Sequence, residues 1–237
     1  MLPYLAEFIG TMLLIILGCG VVANVNLERS GMKGAGSIQI TIAWGLAVLI
    51  PAFIFGEASG ASFNPALTLA LAFDGSFPWS QVAGYIAAQV AGAFVGGCIV
   101  YLLFKKHFDA TPDPDTKLGV FATGPSVSNL WLNFFSEFVG TFILVFAIKG
   151  IGNVSGIPAG LDKLFVFGII VAIGMSLGGL TGYAINPARD LGPRLAHAVL
   201  PIKGKRDSNW KYGLLVPIFG PILGALSAVA LFAVLPW

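Results

Sequence analysis

The side chains able to do chemistry in this chain are few, and most of them come twice. Asn64-Pro65-Ala66 and Asn186-Pro187-Ala188 repeat one tripeptide. Each follows a Gly/Ser/Thr-rich approach, Ala58-Ser59-Gly60-Ala61-Ser62-Phe63 in the first case and Gly179-Leu180-Thr181-Gly182-Tyr183-Ala184-Ile185 in the second. Asn is a strong helix N-cap and Pro is favoured at the first helical position. One copy would mark only a helix start. Two copies in an almost wholly apolar chain predict two short helices that begin inside a membrane, where a capped end can face a permeating molecule. Each helix N-terminus carries about +0.5 charge, so two that meet form a barrier to cations. Each Asn oxygen can cap its own helix, leaving the amide NH2 to donate to a passing hydroxyl or water.

Arg189 follows the second tripeptide directly. A guanidinium within a membrane is costly and marks function by default, and its five donors suit hydroxyl or carbonyl oxygens. The plainer reading is an arginine neutralised by Asp190 in a loop. Glu7 and Glu137 lie in matching apolar contexts, Ala6-Glu7-Phe8-Ile9-Gly10-Thr11 and Ser136-Glu137-Phe138-Val139-Gly140-Thr141. Their repetition argues for one shared role, a proton relay among the candidates. Cys19 and Cys98 lie in apolar stretches and read as small buried hydrophobes. His107 and His197, near loop ends, read as solvated or core histidines. No catalytic dyad, metal cluster or nucleotide loop accompanies these residues, so no enzyme, cofactor or metal site is expected.

The elements that must position them follow from composition. Of 237 residues, 57% are hydrophobic and 10% charged, against about 25% charged in soluble domains. With a mean hydropathy of +0.88 the chain is read as an integral membrane protein. The net charge of +2 points to no partner, and no basic face suits nucleic acid. The first apolar stretch is too long, and too acidic at Glu7, for a cleaved signal peptide. Six segments are long enough to span, about 4–27, 38–56, 80–104, 130–149, 161–178 and 211–235. Two shorter ones, about 64–73 and 186–196, reach roughly half the hydrocarbon core, and each begins at a repeated tripeptide. The polar connector 105–129 reads as an aqueous loop. Trp79, Trp131, Trp210 and Trp237 near span ends suit interfacial anchoring.

Glu7 and Glu137 are 130 residues apart, and Asn64 and Asn186 are 122 apart, in the same order. That pattern indicates a duplicated unit of span, span, half-helix, span, about 1–105 and 130–237 within one domain of 1–237. Three spans per unit is odd, so the second copy inserts upside down, as in inverted-repeat transport proteins. Gly84, Gly92, Gly96 and Gly97 on the third span, and Gly213, Gly220 and Gly224 on the sixth, predict close helix contacts.

With its two Asn-Pro-Ala boxes, a Glu in spans one and four, and Gln89-Val90-Ala91-Gly92 in span three, the chain resembles the major intrinsic protein family of aquaporins and glycerol facilitators. The match runs from Ala6-Glu7-Phe8 to Val216-Pro217-Ile218-Phe219-Gly220-Pro221. Asp190 after Arg189, with Arg194, Pro217 and Ile218, resembles the glycerol-conducting (aquaglyceroporin) branch. The resemblance implies an all-α membrane fold of six transmembrane helices and two re-entrant half-helices. It implies a selectivity filter at Trp44, Gly174, Tyr183 and Arg189, with Trp44 and Tyr183 as an apolar wall and Gly174 widening the aperture. Glu7 and Glu137, helped by Gln89 and Asp190, would support the loops leading to the half-helices. Three departures stand out: Tyr183 where Phe is usual, adding a hydroxyl to the filter; Ser62 where His is common; and Gly124 where Tyr is frequent.

The implied function is a passive channel in the plasma membrane for glycerol, related polyols and some water. A homotetramer with both termini cytoplasmic is also implied. Counting Lys and Arg favours the reverse orientation: Arg29, Lys33, Lys105, Lys106, Lys117, Lys203, Lys205, Arg206 and Lys211 would lie outside, and the connector between spans four and five has only Lys149 and Lys163. Rival readings are a channel for protonated lactic acid, dihydroxyacetone, urea or hydrogen peroxide, and a proton-coupled secondary transporter using Glu7 or Glu137.

Overall fold

An apolar chain in hydrocarbon satisfies its backbone most directly as helices. The computed structural model, which describes residues 1–236, contains only helices and connectors within that range: α1 (Leu2–Asn26), α2 (Ser37–Ser59), α3 (Pro65–Phe73), α4 (Trp79–Ala110), α5 (Pro114–Phe121), α6 (Leu130–Gly152), α7 (Leu161–Thr181), α8 (Pro187–Val199) and α9 (Trp210–Val234). Six of them, α1, α2, α4, α6, α7 and α9, are long and apolar enough to cross a membrane. The expected spans reappear with ends shifted by a few residues. The half-helices α3 and α8, 9 and 13 residues long, cover only about 14 and 20 Å at 1.5 Å per residue. Six crossings leave both ends of the described chain on one side, here the terminal face; the other is the α5 face.

The connector 105–129 departs from an aqueous loop. α4 runs on to Ala110, and Asp113-Pro114 then starts α5, the Asp113 carboxylate accepting from the Thr116 amide at 2.9 Å. The new helix buries Lys117, Leu118, Val120 and Phe121. Phe121 stacks on Phe108 at 5.4 Å between centroids, and the Lys117 ammonium donates to the Lys203 carbonyl. On this short helix Asp115 stays exposed, as does its cap Asp113, whereas Lys117 is buried and Lys105, Lys106 and Asp109 belong to the end of α4.

Glycine sets how closely the helices cross. A Cβ at Gly92 would strike the Phe8 carbonyl oxygen, and one at Gly224 the Phe138 carbonyl oxygen. α1 meets α4 and α6 meets α9 by the same backbone-to-backbone approach, with the carbonyls 130 and the glycines 132 residues apart. A Cβ at Gly96 would lie 2.8 Å from the Met12 carbonyl oxygen, and one at Gly97 3.0 Å from the Ala196 Cβ. The half-helices are exchanged between the two units: α3 packs chiefly on α9, and α8 chiefly on α4.

Cys19 is buried and Cys98 partly so, both as free thiols. Trp79 and Trp131 are exposed near span ends, as interfacial anchors would be. Trp237 lies outside the described residues.

Candidate functional site

The two Asn residues meet head to head. The Asn64 Oδ1 accepts from the Ala66 amide at 2.9 Å, and the Asn186 Oδ1 from the Ala188 and Arg189 amides at 3.0 and 3.2 Å. Each side-chain amide also reaches across: Asn64 Nδ2 donates to the Ile185 carbonyl and Asn186 Nδ2 to the Phe63 carbonyl, both at 2.8 Å. This qualifies the free NH2 expected from sequence. One hydrogen of each amide is committed to the opposite loop, and the second is the one left for a permeating oxygen.

The approaches to these caps are built alike. Gly60 and Gly182 end α2 and α7 with φ of 78° and 82°, where only glycine is unstrained. Beyond them, Ala61 and Phe63 have φ of 52° and 48°, and Tyr183 and Ile185 have φ of 37° and 42°. Left-handed conformations at such residues are costly, and a branched Ile is an outlier. Two buried carboxylates hold them. Glu7 accepts from the Ser62 and Phe63 amides at 3.0 and 2.7 Å, from Ser59 Oγ at 2.7 Å and from Gln89 Nε2 at 2.8 Å. Glu137 accepts from the Ala184 and Ile185 amides at 2.9 and 2.8 Å and from Thr181 Oγ1 at 2.7 Å. Gln89 also donates to Thr68 Oγ1 at 3.0 Å. Sequence reasoning missed the strained backbone, because no glycine announces it.

Two cavities approach each other through the molecule. One of about 190 Å³ is lined by Leu67, Val166, Ile170 and both approach segments, with Asp162 and Lys163 among its residues. The other, about 330 Å³ and on the α5 face, is lined by Ser37, Thr41, Gly124, Gly174 and Gly178. Trp44, Tyr183 and Arg189 line both and form the partition between them. Gly174 lines only the second. The Arg189 guanidinium lies over the Trp44 ring, 4.0 Å from its centroid, and Nη1 donates to the Phe121 carbonyl at 3.5 Å. Cation and aromatic face are therefore stacked on each other rather than set on opposite walls.

Gly174 does not simply open space. A Cβ there would lie 2.5 Å from Thr41 Cγ2 and 2.8 Å from Tyr183 Cζ, so the Tyr183 ring edge already occupies the notch. The Tyr183 hydroxyl is buried, with no hydrogen bond of good geometry. It points into the Gly174 side of the notch rather than adding a donor to the lumen.

Asp190 does not neutralise Arg189. It accepts from the Thr123 amide and hydroxyl at 2.8 and 2.7 Å, and from Arg194 Nε at 2.6 Å. Arg194 Nη2 closes the loop by donating to the Thr123 carbonyl at 2.8 Å. This fully buried pair ties α8 to the connector after α5. Its i,i+4 spacing was the only sequence signal for it. Glu57 is exposed near the first approach segment.

Six crossings, two head-to-head half-helices and a cavity pair meeting at an arginine and two aromatics define a membrane protein with a path through its own bundle. Comparison with known proteins agrees. Residues 2–232 match the family model described as Major intrinsic protein. The chain is 55% identical over 229 residues to the "Probable glycerol uptake facilitator protein" of Thermotoga maritima, covering 97% of each chain. It is 56% identical over 224 residues to the "Glycerol uptake facilitator protein" of Bacillus subtilis, covering 94% of this chain and 81% of that one. Its structure resembles the X-ray structure of the aquaglyceroporin from Plasmodium falciparum, with a TM-score of 0.87 at 30% identity over 98% of this chain and 95% of that chain. The chain belongs to the major intrinsic protein family.

Proposed function

We propose that the protein is a passive channel, not an enzyme, for small uncharged solutes: glycerol and related polyols first, with some water. The observation that carries this reading is the partition of two cavities by Trp44, Tyr183 and Arg189 alone. A polyol has one carbon face and one hydroxyl face. The Tyr183 ring packs against the first, and the Arg189 hydrogens not spent on the Phe121 carbonyl donate to the hydroxyls of the second, with the Trp44 ring backing the guanidinium. At the meeting of α3 and α8, the free hydrogens of Asn64 and Asn186 orient a passing hydroxyl or water. The dipoles of both half-helices, each about +0.5 charge, disfavour cations there. Arg189 adds a full charge against cations at the partition.

A proton-coupled carrier is the weaker reading. The carboxylates of Glu7 and Glu137 are engaged by loop donors, which suits a scaffold. The names of the relatives favour glycerol over lactic acid, urea or peroxide. We further assign it to the plasma membrane with both termini cytoplasmic, so that Asp162 and Lys163 line the cytoplasmic mouth, and to a homotetramer with one pore per subunit.

Stopped-flow swelling of proteoliposomes with glycerol, water and lactic acid, each at pH 4 and pH 7, tests the reading. Rapid, non-saturating glycerol entry at both pH values is expected. Weak glycerol flux beside strong lactic acid flux at pH 4 would replace glycerol by a neutral hydroxy acid, and accumulation against a gradient would replace the channel by a carrier.

A further inference from the structure

The α5 face carries a second concavity that has no part in the pore. Arg29, Lys106, His107, Asp109 and Ala110 line a cavity of about 420 Å³ between the α1–α2 connector and the last turns of α4. The Glu28 amide donates to Thr111 Oγ1 at 2.9 Å, and Thr111 Oγ1 donates to the His107 carbonyl at 2.8 Å. These bonds pin the connector to the end of α4 and hold Arg29 near Lys106. Arg29 has a φ of 63°, a conformation few residues other than glycine adopt. Among the described residues Arg29, Lys106 and Asp109 enter no ion pair, whereas Lys33–Glu28 and Arg206–Asp115 pair on the same face. The Nδ1 of His107 is buried without a hydrogen-bond partner. Leu102 and Leu103, 69% and 64% exposed, lie one turn before Lys106 on the same helix. The cavity therefore opens at the end of an exposed apolar stripe, where membrane meets water.

We propose that this cavity binds the headgroup of an anionic phospholipid of the phosphatidylglycerol class. The phosphate lies between Arg29 and Lys106, and the acyl chains run down past Leu102 and Leu103. A planar guanidinium is well suited to phosphate oxygens. Asp109 narrows the choice of ligand. Its charge repels a dianionic phosphomonoester more than a monoanionic diester, and its carboxylate accepts hydrogen bonds from the hydroxyls of a glycerol headgroup.

The test uses the full chain purified in a neutral detergent, with native mass spectrometry as the readout. It is titrated with phosphatidylglycerol, with phosphatidylcholine of the same chain length, and with soluble glycerophosphoglycerol. Two cations at headgroup level give an expected preference for phosphatidylglycerol of roughly tenfold or more over phosphatidylcholine. The preference is expected to vanish in the Arg29→Ala/Lys106→Ala double variant and to survive in Lys105→Ala, which removes a neighbouring cation outside the cavity. Should the double variant not purify as a folded channel, Lys106→Gln alone is expected to lower the preference about threefold. Equal binding of the two lipids, a preference that survives in the variants, an equal loss in Lys105→Ala, or glycerophosphoglycerol binding as tightly as the lipid would each overturn the proposal.

Discussion

At Tyr183 a single oxygen separates this chain from the Phe usual in the glycerol branch, and the structure turns that oxygen into the Gly174 notch. Tyr183→Phe is therefore expected to keep glycerol permeability within about twofold and the order of permeants unchanged, since no lumen contact is lost. A several-fold shift of the glycerol to lactic acid flux ratio would show that the hydroxyl reaches the permeant. Gly174→His is the opposite case: its Cβ meets Thr41 and the Tyr183 ring at once, so the ring must move. Glycerol flux is expected to fall far more than water flux, because the larger solute needs the full aperture; equal losses would dissociate Gly174 from aperture. Arg189→Val removes the charge at the partition and should raise proton or cation leak, read with a pH-sensitive dye inside vesicles. The helix starts at Asn64-Pro65 and Asn186-Pro187 were legible because residue type and capping geometry are one and the same thing there. The committed amide hydrogen was not, because its acceptor is a carbonyl more than a hundred residues away. Nor was the Arg189–Trp44 stack, since separate filter positions say nothing about which side chains touch.

The approach segments show why elements, rather than single side chains, place those residues. Each strains two non-glycine residues into left-handed backbone and offsets the cost with a carboxylate from α1 or α6. Glu137→Ala would leave two buried amides without an acceptor, at about 1–3 kcal/mol each, and release the strain at Ile185. A loss of thermal stability in detergent is expected, together with loss of conduction; unchanged melting would mean that the loop holds itself. The end of α8 provides a pH test. His197 is fully buried, its Nδ1 sharing a 2.8 Å hydrogen bond with Ser208 Oγ. Burial, then the charges of Lys205 and Arg194, pushes its pKa down from 6.5 to about 4, with Asp207 opposing and Arg206 adding to the shift. The unfolded chain takes up this proton near pH 6.5 and the folded one only near pH 4, so stability is full above 6.5 and declines as pH falls through that window. His197→Gln should flatten that part of the melting-versus-pH curve, and an unchanged slope would assign it to other groups. Six spans and two half-helices were legible from apolar length and the Asn-Pro starts. α5 was hidden because its charges read as loop, although Asp113-Pro114 was a helix start in plain sight.

Over the whole molecule, the duplication seen in the offsets does not yield two independent bodies. α3 rests mainly on α9 and α8 on α4, so each unit lends its half-helix to the last span of the other. The Asn64 and Asn186 amides complete the exchange by bonding the opposite approach segment. A unit alone would leave the apolar face of its half-helix uncovered. It would also leave an Asn amide and a loop carbonyl unpaired in the membrane interior, where each orphaned polar group costs several kcal/mol. Inverted repetition was legible in sequence because an odd number of spans forces it; the exchange was not, because composition does not say which span a half-helix rests on. The consequence can be checked by dividing the chain between Gly124 and Pro125. Residues 1–124 and 125–237 expressed separately are expected to give no monodisperse species in detergent, whereas co-expression should restore a single complex and glycerol swelling in vesicles. A fragment that is monodisperse and melts cooperatively on its own would mean that one unit closes its core without its partner, and that the exchanged half-helices are an embellishment of two stable bodies rather than the joint that makes them one.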